Sequence, residues 1–209
     1  FFFKQKTAYE IIKCDWSSTC ALPILPHKLS EYGPGLAVAD LDGNGLDDII
    51  ATGSFPSGAK ILYQQIDGSF KKDSLLPLQE GSKQADEMGV LLFDADADGD
   101  QDIYISSGGY ERESNTQSYS DKFFVNDGAG HFTQNKSAFP INYGSKSCAR
   151  ASDYDHDGDL DLFVAGRVDP WKYPMSVSSF IYRNDSKKGT IKFIDATKSV
   201  AAGLQNVGL

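Results

Sequence analysis

Three copies of one acidic loop constrain this chain more than any other feature. They read Asp40-Leu41-Asp42-Gly43-Asn44-Gly45-Leu46-Asp47-Asp48, Asp94-Ala95-Asp96-Ala97-Asp98-Gly99-Asp100-Gln101-Asp102 and Asp153-Tyr154-Asp155-His156-Asp157-Gly158-Asp159-Leu160-Asp161. Oxygen-bearing side chains fall at positions 1, 3, 5 and 9 of each loop, with Gly at position 6. Alternate residues of a tight loop can aim their oxygens at one centre, as a hard cation with about 6–8 oxygen ligands requires. Gly at position 6 permits a sharp reversal. The position-7 peptide carbonyls of Leu46, Asp100 and Asp159 are then free to serve as further ligands, and the position-9 aspartates close the cage. These features predict up to three bound Ca2+.

Two other loop types share part of this pattern. A solvated Asp/Gly turn explains any one such loop, but not three copies with the same five positions filled. An EF-hand shares the early positions and closes with Glu at position 12. Here position 12 is Ala51, Ile105 and Val164, and the residues after position 9 are strand formers, Ile49-Ile50-Ala51, Ile103-Tyr104-Ile105 and Leu162-Phe163-Val164. Each loop therefore joins two strands.

Residues 1–24 stand apart. Lys4–Ile11 and Thr19–Ile24 resemble the translation of a sequencing-library adapter, and the scattered charges Lys4, Lys6, Glu10, Lys13 and Asp15 leave no apolar run for a signal peptide. This segment is read as non-native, which removes Cys14 and Cys20 from any disulfide argument. Cys148 remains as a small core residue. The net charge of −9 argues against nucleic acid as a partner. No stretch approaches the roughly 18 apolar residues of a membrane span.

The loops begin at 40, 94 and 153, a period near fifty with several short strands in each, which is the pattern of a β-propeller array. An apolar run precedes each loop: Leu36–Ala39, Val90–Phe93 and Cys148–Ala151. A third strand is expected at Lys60–Tyr63, Phe123–Val125 and Phe180–Tyr182, and a fourth centred on Phe70, Phe132 and Phe193. Between them lie the turns Gln65–Gly68, Asn126–Gly130 and Asn184–Gly189, rich in Asn-Asp and Asp-Gly pairs. Helical periodicity is weak except near Gln79–Glu87. The fold class is all-β, a propeller fragment of about three four-stranded blades. Residues 25–209 form the partial propeller, with repeats near 33–82, 83–142 and 143–197. Residues 193–204 read as the lead into a further repeat that is cut short.

The loops, their flanking strands and the Asn126-Asp127-Gly128-Ala129-Gly130-His131-Phe132 hairpin resemble FG-GAP/VCBS repeats. The resemblance covers about residues 33–197 and implies the calcium-binding blades of integrin α-subunit-type propellers and of many secreted bacterial proteins. It implies as ligands Asp40, Asp42, Asn44, Asp48 and the Leu46 carbonyl. In the other loops it implies Asp94, Asp96, Asp98 and Asp102, and Asp153, Asp155, Asp157 and Asp161. The family's Phe-Gly pair appears as Pro34-Gly35 and Met88-Gly89 and is missing before Asp153. Asn44 carries one formal charge fewer, so the first loop is expected to bind most weakly.

A scaffold of this kind displays function on its longer loops. Gly108–Tyr119 carries Tyr110 and Tyr119, and Arg167–Met175 carries Trp171 and Tyr173. Such aromatics either pack onto their own blade or offer a platform to a sugar ring or protein anchor. The expected function is a calcium-stabilised extracellular or cell-surface recognition and adhesion module of bacterial type, whose partners are a protein or carbohydrate ligand and the remaining blades of its parent chain. Its rivals are the scaffold of a polysaccharide lyase and a structural spacer. No catalytic constellation is visible: His27, His131 and His156 stand without the partners a catalyst needs.

Overall fold

Among the described residues twelve strands fall into three runs of four, and each run forms its own antiparallel sheet. The computed structural model describes residues 34–54, 57–75, 84–187, 190–205 and 207, all within one compact unit, residues 33–209. Residues 1–24 and His27 lie outside the described residues. The first blade contains β1 (Leu36–Ala39), β2 (Asp48–Ala51), β3 (Lys60–Gln64) and β4 (Phe70–Ser74). The second contains β5 (Asp86–Phe93), β6 (Asp102–Gly108), β7 (Lys122–Val125) and β8 (Thr133–Gln134). The third contains β9 (Lys146–Ser152), β10 (Asp161–Gly166), β11 (Phe180–Asn184) and β12 (Phe193–Asp195). Each sheet is an up-and-down meander in chain order. The acidic loops are the β1–β2, β5–β6 and β9–β10 connections.

Two local expectations are corrected. The helical tendency near Gln79–Glu87 gives way to strand from Asp86, because β5 pairs with β6 along its length and buries Glu87 against Lys122; residues 76–83 lie outside the described set. The fourth strand of the second blade begins after Phe132 and is only two residues long. The fourth strand expected around Phe193 is present. Phe193–Asp195 completes the third blade as β12, and α1 (Thr197–Val200) then folds back, with Thr197 Oγ1 accepting from Ile181 N at 3.0 Å and Leu204 O from Ser179 N at 3.1 Å.

Successive blades meet along their first strands, with β5 packed between β1 and β9. Glycine makes this approach possible. A Cβ on Gly35 would lie 3.0 Å from Val90 N, and one on Gly89 would lie 2.8 Å from Ser147 O and 3.0 Å from Cys148 Cα. The glycine of the Phe-Gly pair is thus the point where the next blade's backbone crosses.

Hydrophobic packing fills the space between blades. Leu41, Ile50, Ile61 and Tyr63 of the first meet Ile103, Ile105 and Phe124 of the second. Phe93, Tyr104 and Phe123 of the second meet Leu162, Tyr182 and Phe193 of the third. Phe139, from the β8–β9 connection, stacks on Phe193 with centroids 4.2 Å apart and meets Phe123 edge-on at 5.2 Å. Such inter-blade cores tie each sheet's stability to its neighbour. On the far side of the first blade Leu36 and Val38 are 65% and 51% exposed.

Gly89→Ala is expected to destabilise the chain by about 1–3 kcal/mol, the usual cost of overpacking. Urea unfolding at fixed calcium concentration checks this; a midpoint equal to the parent's would show that the strands can separate without cost.

Candidate metal centres

Each loop is wound by its own carboxylates before any ion is considered. The position-1 aspartate accepts backbone N–H groups from the far side of the turn. Asp40 takes Gly43 at 2.8 Å, Asn44 at 3.2 Å and Gly45 at 2.8 Å. Asp94 takes Asp98 at 3.2 Å and Gly99 at 2.9 Å, and Asp153 takes Asp157 and Gly158, both at 3.2 Å. The position-5 oxygen accepts the position-7 N–H: Asn44 from Leu46 at 2.7 Å, Asp98 from Asp100 at 3.1 Å, Asp157 from Asp159 at 3.0 Å. The Asn44 amide does this as its carboxylate counterparts do, and its nitrogen donates to Gln64 O at 3.0 Å. The position-6 glycines have φ of +83°, +100° and +99°. Position 4 is also left-handed, with Gly43 at +73° but Ala97 at +59° and His156 at +63°. The sequence pattern marks position 6 and is silent on position 4.

These windings bring three oxygens together in each loop, all within 4.8 Å of one another: Asp40, Asp42 and Asp48; Asp94, Asp96 and Asp98; Asp153, Asp155 and Asp161. Among the described residues nothing donates to the position-7 carbonyls of Leu46, Asp100 and Asp159. In the second loop Asp96 Oδ1 and Asp100 Oδ1 are buried with no hydrogen-bond donor. Buried carboxylate oxygens without a donor are costly, and a cation satisfies them. The three clusters can each hold a metal ion, and their all-oxygen donor sets suit a hard one.

Position 9 does more than close a cage. Asp48, Asp102 and Asp161 are all but fully buried. In each, Oδ2 accepts the position-2 N–H, from Leu41 at 2.9 Å, Ala95 at 3.1 Å and Tyr154 at 3.1 Å. The other oxygen accepts an N–H of the third strand or the residue after it, from Gln64 at 2.7 Å, Asn126 at 2.9 Å and Asn184 at 2.8 Å. Burial raises all three carboxyls above their ordinary range, against the pull of these donors, and takes Asp102 to about 7. Burial, reinforced by neighbouring Asp98, takes Asp100 to about 6 and raises Asp96.

Sequence reasoning placed Asn126 and Asn184 only in turns. They are buried, and each Nδ2 donates both across a blade junction and within its own blade: Asn126 to Leu41 O of the first blade at 3.0 Å and to Gln101 O of its own at 3.2 Å, Asn184 to Ala95 O of the second blade at 3.0 Å and to Leu160 O of its own at 3.2 Å. The recurrence of Asn-Asp after two of the third strands was the available signal.

The proposed ligand loops divide. Trp171, Tyr173 and Met175 are 61%, 42% and 58% exposed. Tyr110 lies beside them, its hydroxyl 3.4 Å from Tyr173 N, and Lys172 Nζ reaches Ser114 Oγ at 3.3 Å. Tyr119, by contrast, is fully buried; its hydroxyl donates to Arg112 O at 3.1 Å and accepts from Arg112 N. It holds its own loop and presents nothing to a ligand. His131 pairs with Asp127 at 2.9 Å, and His156 is an exposed position-4 residue. Among the described residues no helix is long and apolar enough to cross a membrane.

Four-stranded meanders set side by side, each with an acidic loop after its first strand, define a propeller-type repeat module. The profile of the FG-GAP-like repeat matches residues 40–105 and 94–164, and the chain belongs to this family. No curated protein matches the chain.

Without a divalent ion, stability should fall as pH rises from about 4 to about 7. Asp48, Asp96, Asp100, Asp102 and Asp161 have folded-state pKa values above the unfolded value, so the fold favours their protonated forms. Their cost is absent below the unfolded pKa and complete above the folded one. Thermal melts in chelator across this range check it; a melting temperature that rose over the same interval would contradict it.

Proposed function

We propose that this chain is a calcium-stabilised extracellular recognition module, with Ca2+ structural in all three loops and ligand contact made by the exposed aromatic loops. The observation that carries the metal assignment is the buried, donorless oxygen of Asp96 inside a cluster of oxygen ligands. Residues that would hold the ions are the side chains of Asp40, Asp42, Asn44 and Asp48, of Asp94, Asp96, Asp98 and Asp102, and of Asp153, Asp155, Asp157 and Asp161. The carbonyls of Leu46, Asp100 and Asp159 would add to them. Bound calcium supplies positive charge that relieves carboxylate repulsion, and because it favours the folded loops its binding energy becomes folding energy. With one fewer formal charge, the Asn44 loop binds most weakly. The family's frequency among extracellular proteins supports a secreted or surface location.

Recognition rests on Trp171, Tyr173 and Met175, exposed on a loop that is pinned from two sides. The backbone bridges Val168 to Ser176, and Tyr110 and Lys172 join it to the neighbouring blade's loop. Rigid exposed aromatics contribute large contact area at low entropic cost, to a sugar ring or a protein anchor. The exposed face of Leu36 and Val38 is the place for a further blade of the parent chain. Lys122 and Lys146 are engaged in buried ion pairs with Glu87 and Asp121, which gives both a structural role.

Calcium titration by calorimetry should give up to three ions per chain. At a free concentration of 100 times Kd, each site adds about 2.7 kcal/mol to stability, so the melt should fall sharply in chelator. A folded chain that binds no calcium would overturn the metal assignment. For recognition, the chain is screened against glycans and extracellular-matrix proteins. Trp171→Ala should weaken any hit at least about tenfold, the loss typical of a central aromatic anchor, with an unchanged melting temperature. Undiminished binding by Trp171→Ala would place the contact elsewhere.

A further inference from the structure

The three metal loops are not separate. Asp48 Oδ2 accepts from the Leu41 peptide N–H, whose loop offers the Leu41 carbonyl to Asn126 Nδ2; the Asn126 N–H in turn binds Asp102 Oδ1. Asp102 Oδ2 accepts from Ala95 N, the Ala95 carbonyl accepts from Asn184 Nδ2, and Asn184 N binds Asp161 Oδ1. One line of hydrogen bonds therefore runs through the position-9 aspartate of every loop and crosses two blade junctions, each time through a buried asparagine.

The first junction is closer still. Asn126 Oδ1 accepts the N–H groups of Asp127 and Gly128, at 2.9 and 3.2 Å, and so fixes its own turn. That turn lies on the first loop. A Cβ on Gly130 would sit 3.0 Å from Asp42 Cβ, one on Gly43 would sit 2.9 Å from Gly128 O, and Tyr63 Oη donates to Gly130 O at 2.9 Å. The same turn touches the second loop, where a Cβ on Gly128 would meet Asp100 Oδ2 at 3.2 Å. Asp42 is a ligand candidate of one loop through its side chain, and Asp100 of the next through its carbonyl.

We infer that Asn126 and Asn184 couple cation occupancy between adjacent loops, so that the ions load cooperatively across blade junctions. The inference rests on the calcium reading of the loops. Ordering one loop fixes its position-9 aspartate and position-2 carbonyl; these orient the asparagine, which is already bonded to the neighbouring loop. The entropy of ordering the second loop is then partly met, which is positive cooperativity without a change of fold. Neither asparagine is a ligand; each positions two loops at once.

The test is a calcium titration of the full 209-residue chain labelled with 15N-glycine. The Gly45, Gly99 and Gly158 amides each donate to the position-1 aspartate of their own loop and so report occupancy site by site. The expected result is three curves steeper than a single-site isotherm. In Asn126→Ala the Gly45 midpoint should rise by about fivefold or more, the scale of an ordinary coupling between sites. Asp96→Ala provides a variant that leaves every bond of Asn126 intact; it disables the second loop and should weaken the first, read again at Gly45. Independent single-site curves, with the Gly45 midpoint unmoved in Asp96→Ala, would overturn the coupling while leaving the calcium assignment standing. Glycine signals that ignore calcium altogether would overturn both.

Discussion

A buried carboxylate with both oxygens engaged holds this architecture in register. Asp48, Asp102 and Asp161 each join the start of an acidic loop to the end of the third strand of the same blade. One side chain therefore fixes how the loop folds and how the sheet beyond it is aligned. The cost of burying that charge shows in the raised pKa values, and the backbone donors offset only part of it. What they leave uncompensated, a cation held by the acidic cluster could offset. The metal loops follow from the sheet as much as the sheet follows from the loops.

The blade plan was legible because period and chemistry agree. Strand formers on either side of each loop, and Asn-Asp or Asp-Gly pairs between later strands, specify a four-stranded meander locally. The segment near Gln79–Glu87 was not legible in the same way. Its described end is strand from Asp86, through pairing with β6 and the Glu87–Lys122 ion pair, partners 35 positions apart that no local window contains. Residues 197–204 likewise turn back because of hydrogen bonds to the third blade, not because of their own composition.

Within the site, the converging carboxylates could be read from spacing alone, since alternation in a tight loop puts them on one side. The double role of position 9 could not, because its donors lie on another strand. Tyr119 shows the same limit: a tyrosine in a polar loop reads as exposed, yet it is the buried post around which Arg112 wraps. Gly35 and Gly89 were visible as family glycines, while the reason for them, the backbone of the next blade, belongs to the assembled structure.

The asparagine links reach backward along the chain. Asn126 lies 85 positions after the Leu41 carbonyl it binds, and Asn184 lies 89 after that of Ala95. During synthesis a blade's own strands emerge together, but the clamp on its loop arrives only when the third strand of the following blade has left the ribosome. The chain order of these links thus makes each blade the supplier of the clamp on the loop before it.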